Sequence, residues 1–127
     1  MAQAQAQTNG NKEHVLRELQ RHAVAIYLSE IGTDIERHFG LRLGVDSDTL
    51  TRVLVGLVKE GQVVVWFDDD RGDIGFLPRS TWSAEARQLV RGLDLERAQE
   101  LRRELSELEQ KGAEILNRIQ LADVVDV

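Results

Sequence analysis

Apolar positions follow helical spacing most clearly from Leu50 onward, where Leu50, Val53, Leu54, Leu57 and Val58 recur at three- and four-residue steps and fall on one face. Asp46 and Ser47 stand just before this run, and either side chain can cap the backbone N–H groups that open a helix. Gly61 follows the last periodic residue, where a left-handed residue ends a helix without strain. The pattern then changes to a β-branched and aromatic run, Gln62–Phe67, and a shorter one, Ile74–Leu77. The polar stretch between them, DDDRGD, contains Gly72, so the two runs predict a β-hairpin that Pro78 ends.

Upstream, Val15, Leu16, Leu19, Ala23, Ile26 and Tyr27 predict a first helix from Asn11 or Lys12 to Ile31, stopped by Gly32. Thr33 and Glu36 have the spacing of a capping box, which predicts a second helix with Ile35, Phe39 and Leu43 inward and Arg37 and Arg42 toward water. Gly44 closes it. Before Lys12, an Ala/Gln repeat offers nothing for a core, and residues 1–11 are expected to be a disordered tail. Residues 12–79 form one domain in this reading.

Residues 80–120 read as a helical segment. Ser83 caps a helix to Arg91, Trp82 packs it back on the domain, Gly92 interrupts, and Asp94 caps a fresh or continuing helix. From there Ala98, Leu101, Leu105, Leu108, Gly112, Ile115 and Ile119 alternate three- and four-residue steps, as a coiled-coil seam does. With Ala98, Leu105, Gly112 and Ile119 as a positions, a parallel pairing sets Arg97 against Arg102 and Glu104 against Glu109. An antiparallel one matches Glu104 with Lys111 and Arg102 with Glu109, so an antiparallel homodimer is expected. Gly112 costs ~1 kcal/mol of helix propensity, or lets two helices approach closely. The competing reading is an amphipathic helix packed on its own domain. Residues 121–127 are expected to be a frayed or docking tail.

The order helix–turn–helix–hairpin resembles the winged helix-turn-helix superfamily. Phe39, Gly40, Leu43, Gly44, Val45, Thr49, Leu50, Val53, Leu54, Leu57, Val58, Glu60, Gly61 and Val63 carry the resemblance, over roughly a third of the chain. In it, Gly40 takes the place of a small residue where two helices cross, and Gly44 that of the tight turn. The expected fold is therefore mainly α with a small β-hairpin: a winged helix-turn-helix domain plus a long C-terminal coiled-coil-like helix. A winged domain followed by a dimerisation helix is similar to the layout of PadR-type regulators.

The resemblance implies double-stranded DNA as partner, with the helix over residues 47–60 in the major groove and the hairpin wing on the neighbouring backbone. Ser47, Thr49, Thr51 and Arg52 are the candidate base-reading residues. Arg37, Arg42, Lys59 and Arg71 are candidates for phosphate. Charge changes this picture. The chain carries −6 overall. From Ser47 to Pro78, three basic residues (Arg52, Lys59, Arg71) face six acidic ones (Asp48, Glu60, Asp68, Asp69, Asp70, Asp73), a local −3 where phosphate contacts want cations. The alternative is a protein-interaction or scaffold module whose acidic wing docks a basic partner.

Composition narrows the rest. With aromatics at 5% of the residues, the core must be largely aliphatic. The absence of cysteine removes disulfides, thiol nucleophiles and thiolate metal sites. His14, Glu18 and His22 share a helix face but have no further ligand in view, so a solvated face is preferred to a metal site. Arg71-Gly72-Asp73 reads as a plain turn. Neither a phosphate-binding glycine loop nor a recognisable nucleophile–base pair is present, so no enzymatic activity and no cofactor are expected. No apolar run approaches the ~20 residues of a membrane helix. Nor does the N-terminus read as a secretory signal, so the expected location is cytoplasmic, at the nucleoid if the protein binds DNA. A crevice near Trp66 and Trp82, between the domain and the C-terminal helix, offers room for a small-molecule effector.

Overall fold

A computed structural model describes the backbone of residues 2–125 and the side chains of residues 11–37 and 40–119. The protein is mainly helical, with a small three-stranded antiparallel sheet and a long C-terminal helix. In chain order the elements are α1 (Ala2–His22), β1 (Ile26–Tyr27), α2 (Ile35–Phe39), α3 (Ser47–Lys59), β2 (Val63–Asp68), β3 (Asp73–Pro78), α4 (Arg79–Val90) and α5 (Leu95–Val125), with a single 3-10 turn at Leu28–Glu30.

The best-patterned part forms as its sequence predicts. Asp46 caps α3, its carboxylate accepting from the Thr49 N–H at 2.7 Å. Leu50, Val53, Leu54 and Leu57 are buried along one face. Gly61, at φ 76°, ends the helix. There the N–H groups of Gly61 and Gln62 donate back to the carbonyls of Val58 and Leu57, satisfying two otherwise orphaned acceptors. β2 and β3 pair in register from Val63–Pro78 to Asp68–Asp73.

Several local expectations are corrected. The first helix stops at His22, nine residues before Ile31. Ala23 turns left-handed, at φ 50°, and Ile26 and Tyr27 leave the helix to pair with Phe76 and Gly75 on the free side of β3. Two ladder partners outweigh helix propensity there. At its other end α1 runs back to Ala2, through the expected tail; Ala and Gln extend a helix at little cost. The second helix is capped by Asp34, whose carboxylate meets the Arg37 N–H, while Thr33 donates to the Glu30 carbonyl, so the capping box does not form. This helix ends at Phe39, with Gly40 as its left-handed cap (φ 70°). A Cβ on Gly40 would meet nothing within 4 Å, so the glycine serves the backbone turn and not a close helix crossing. Gly44, also at positive φ, lies beyond that end and closes no helix. Finally, α4 begins at Arg79 with Pro78 as its cap residue, which places Ser83 inside the helix. Burial of Phe39 and the tail over residues 121–127 fall outside the described side chains.

The sheet order is β1-β3-β2. α1, α3, β1 and β3 close one aliphatic core around Val15, Leu19, Ile26, Leu54, Ile74 and Phe76. α5 lies against β2, an outer strand, and inserts Leu116 (5% exposed) into that same core, with Ala113 and Ile115 packed beside it. Gly112 makes this docking possible: a Cβ there would lie 2.6–2.8 Å from the backbone Cα, C and N of Trp66. The C-terminal half of the expected seam is therefore spent within the chain. Leu116, an e position in the heptad reading, is its best-buried residue, while Ile119 is 36% exposed. Ala98, Leu101, Leu105 and Leu108 are half-buried.

Three of the four charges behind the antiparallel expectation have partners in the same chain; Arg102 has none among the described residues. Glu104 lies 3.5 Å from Arg97, Glu109 is 3.0 Å from Arg79, and Lys111 is 3.7 Å from Asp69. They no longer argue for an antiparallel dimer over a parallel one. Asp94 does cap α5, accepting from the Arg97 N–H at 2.8 Å.

Candidate nucleic-acid interface

α3 shows its second face to solvent. Ser47, Asp48, Arg52 and Lys59 are exposed; Thr49 and Thr51 are half-buried. The Thr51 hydroxyl donates to the Ser47 carbonyl, which holds it close to the helix. Asp46 is occupied as the cap, and its carboxyl is pulled below the ordinary range by the Thr49 backbone N–H. Gly56 leaves room for the Lys12 side chain, whose ammonium pairs with Glu60 at 2.8 Å and straps α1 to α3.

The candidate residues do not form one surface. Thr51, Arg52 and Lys59 line a common groove of about 380 Å³ between α3 and α5. Arg37 is exposed on α2. Arg42 is tied to α1 by its backbone: its N–H donates to Glu18 and its carbonyl meets the His14 ring. Glu18, only 8% exposed, is thereby a structural clamp. Its carboxyl is held below the ordinary range first by the Arg42 N–H and then by His22 nearby. Among the described residues no group of three or more His, Asp or Glu side chains is arranged to hold a metal.

The wing differs most from a solvated acidic turn. The Tyr27 hydroxyl donates to Asp68 Oδ2 at 2.7 Å, and Asp68 Oδ1 accepts from the N–H groups of Asp70 and Arg71. Asp73 accepts from the N–H groups of Ser29 and Ile74, and Asp69 faces Lys111. Arg71, the one basic residue of the wing, stacks over the Tyr27 ring at 3.8 Å. It is parked on its own domain instead of reaching outward. Tyr27 in turn meets Trp66 edge-on, with centroids 5.8 Å apart, and Trp66 packs on Trp82 at 5.4 Å. The crevice expected near the two tryptophans is thus largely filled. The space lined by Trp82, Ala86, Leu89 and Leu105 is about 30 Å³, room for one water. Tyr27 went unread in the sequence as a site residue; the clue was the β-prone VAIY stretch at the end of a helical pattern.

This clamp has a pH consequence. The Tyr27 hydroxyl is the main cause that holds the Asp68 carboxyl below its ordinary value. A carboxyl whose value is depressed on folding contributes stability that is present above its unfolded value and lost as pH falls through the folded one. Stability against urea is therefore expected to fall below about pH 4, and Asp68→Asn to flatten part of that acid limb. An unchanged acid limb in the variant would refute the role given to Asp68.

Comparison with protein-family models, with curated proteins and with solved structures finds no match. Among the described residues no helix is long and apolar enough to cross a membrane.

Proposed function

We propose that the chain is a winged helix-turn-helix protein that binds double-stranded DNA as a dimer and regulates transcription, with α3 entering the major groove. The observation that carries this reading is the division of α3. Leu50, Val53, Leu54 and Leu57 are buried, while Ser47, Arg52 and Lys59 remain in solvent on a domain that also carries the β2–β3 hairpin of its three-stranded sheet. A short helix presented in this way on a fixed scaffold suits base-edge contacts, with Arg52 toward guanine and Ser47 and Thr49 toward bases or phosphates. The engagement of Asp68 and Asp73 by hydrogen bonds within the domain supports it as well, since a clamped carboxylate is not turned toward a phosphate. Leu89, Leu93 and Leu95, 56%, 40% and 74% exposed where α4 meets α5, supply apolar surface for a second copy, and Leu89 lines the same small space as Leu105.

One observation favours the alternative, a protein-interaction module. With Arg71 stacked on Tyr27, Arg52 and Lys59 are the basic residues left for a phosphate between Ser47 and Pro78. Selection of bound fragments from random duplex DNA separates the two readings. The DNA reading expects one enriched motif, arranged as two related half-sites, and roughly tenfold weaker binding by Arg52→Ala. No enrichment at low salt would eliminate it and leave the interaction module.

A further inference from the structure

We infer that the groove between α3 and the end of α5 binds a small organic anion with an apolar body, of the class of medium-chain carboxylates. Arg52, Val55, Gly56 and Lys59 follow one another at positions i, i+3, i+4 and i+7, so they form a single stripe of α3 along the groove. Leu116 and Ile119 of α5 form the opposite wall, and Leu28 closes one side. The two cations stand at the ends of the stripe, roughly 10 Å apart along the helix axis, with Val55 between them and the Lys12 side chain lying over Gly56. Among the described residues neither Arg52 nor Lys59 has an ion-pair partner. Of the other cations, Lys12 pairs with Glu60, Arg79 with Glu109 and Lys111 with Asp69, while Arg118 beside Ile119 also has no ion-pair partner among the described residues.

The volume, about 380 Å³, falls in the range of small-molecule sites and is bounded by three elements. An apolar wall with a cation at its rim suits a chain or ring buried against Val55 and Leu116 with its carboxylate on Arg52 or Lys59. This deepens the DNA reading, because such a ligand would withdraw Arg52 from a base or phosphate, but the binding step stands without DNA.

The test uses the full chain, decanoate as probe and no DNA. Isothermal titration and methyl NMR are expected to show saturable binding, with shifts at Leu28, Val55, Leu116 and Ile119. Arg52→Ala and Lys59→Ala, both exposed positions, are each expected to weaken binding, the stronger of the two by roughly tenfold. Ile119→Glu, which sets a negative charge in the wall, is expected to abolish it while the circular dichroism spectrum stays that of the parent. Absence of saturable binding would overturn the inference. So would decanol binding as tightly as decanoate, or decanoate binding unchanged in both alanine variants. Loss of DNA selection alone would leave this result untouched and would sink only the assignment of α3 to the major groove.

Discussion

Leu116→Ala is expected to lower stability by about 3 kcal/mol, the usual cost of removing a buried leucine side chain from a core that cannot fully collapse around the gap. Leu116 is 5% exposed and belongs to the same cluster as Val15, Leu54 and Phe76. For a chain of this size the melting temperature should drop by roughly 10 °C. Were α5 an independent dimerisation rod with only loose contact to the domain, the same substitution would cost about 0.5 kcal/mol or less, as surface changes do. A melting curve within ~2 °C of the parent would therefore contradict the docking of α5 on the sheet.

Gly112→Ala is expected to destabilise as well, by about 2 kcal/mol, although it replaces a helix-interior glycine with the best helix former. On propensity alone it should gain about 1 kcal/mol. The added methyl, however, would lie 2.6 Å from Trp66 Cα and 2.7 Å from its carbonyl carbon. Those atoms belong to a strand paired to β3 through Trp66 and Gly75, so the strand cannot retreat without disturbing the sheet. α5 must lift instead, and Leu116 one turn later lifts with it. Chemical denaturation decides the sign. A stabilised variant would mean that helix and strand are not in contact at this point. The two substitutions share one cause and lie one turn apart, so the double variant should lose less than the sum of the two.

Much of the fold was legible because its strongest signals are local. α3 announces itself by five apolar positions on one face, an Asp46 cap and a Gly61 stop, and the hairpin by two β-prone runs around a polar turn. β1 was not legible. Two residues cannot declare a strand, and Ile26 and Tyr27 pair only because β3 offers a free side 50 residues later. Gly40 misled for a different reason: a glycine needed for positive φ and one needed for close approach look the same in a sequence. The seam of α5 was ambiguous in the same way, since a heptad pattern over about three heptads also describes a helix lying on a sheet. Gly112 was the residue that separated the two, and its partner proved to be a strand backbone and not a second helix. Of the candidate site, Thr51, Arg52 and Lys59 do come together. Arg71 does not join them, because its attraction to the Tyr27 ring depends on β1, the element that the sequence concealed.

α5 also has the proportions of a lever. A rigid rod of some 36 Å separates Ile119, at the lip of the groove, from Leu95, at the far tip. With the pivot at Gly112, a tilt of about 10° would move the far tip by roughly 4 Å, somewhat more than twice the shift at the near one. Small adjustments where the rod is seated thus arrive magnified where Leu89, Leu93 and Leu95 face outward.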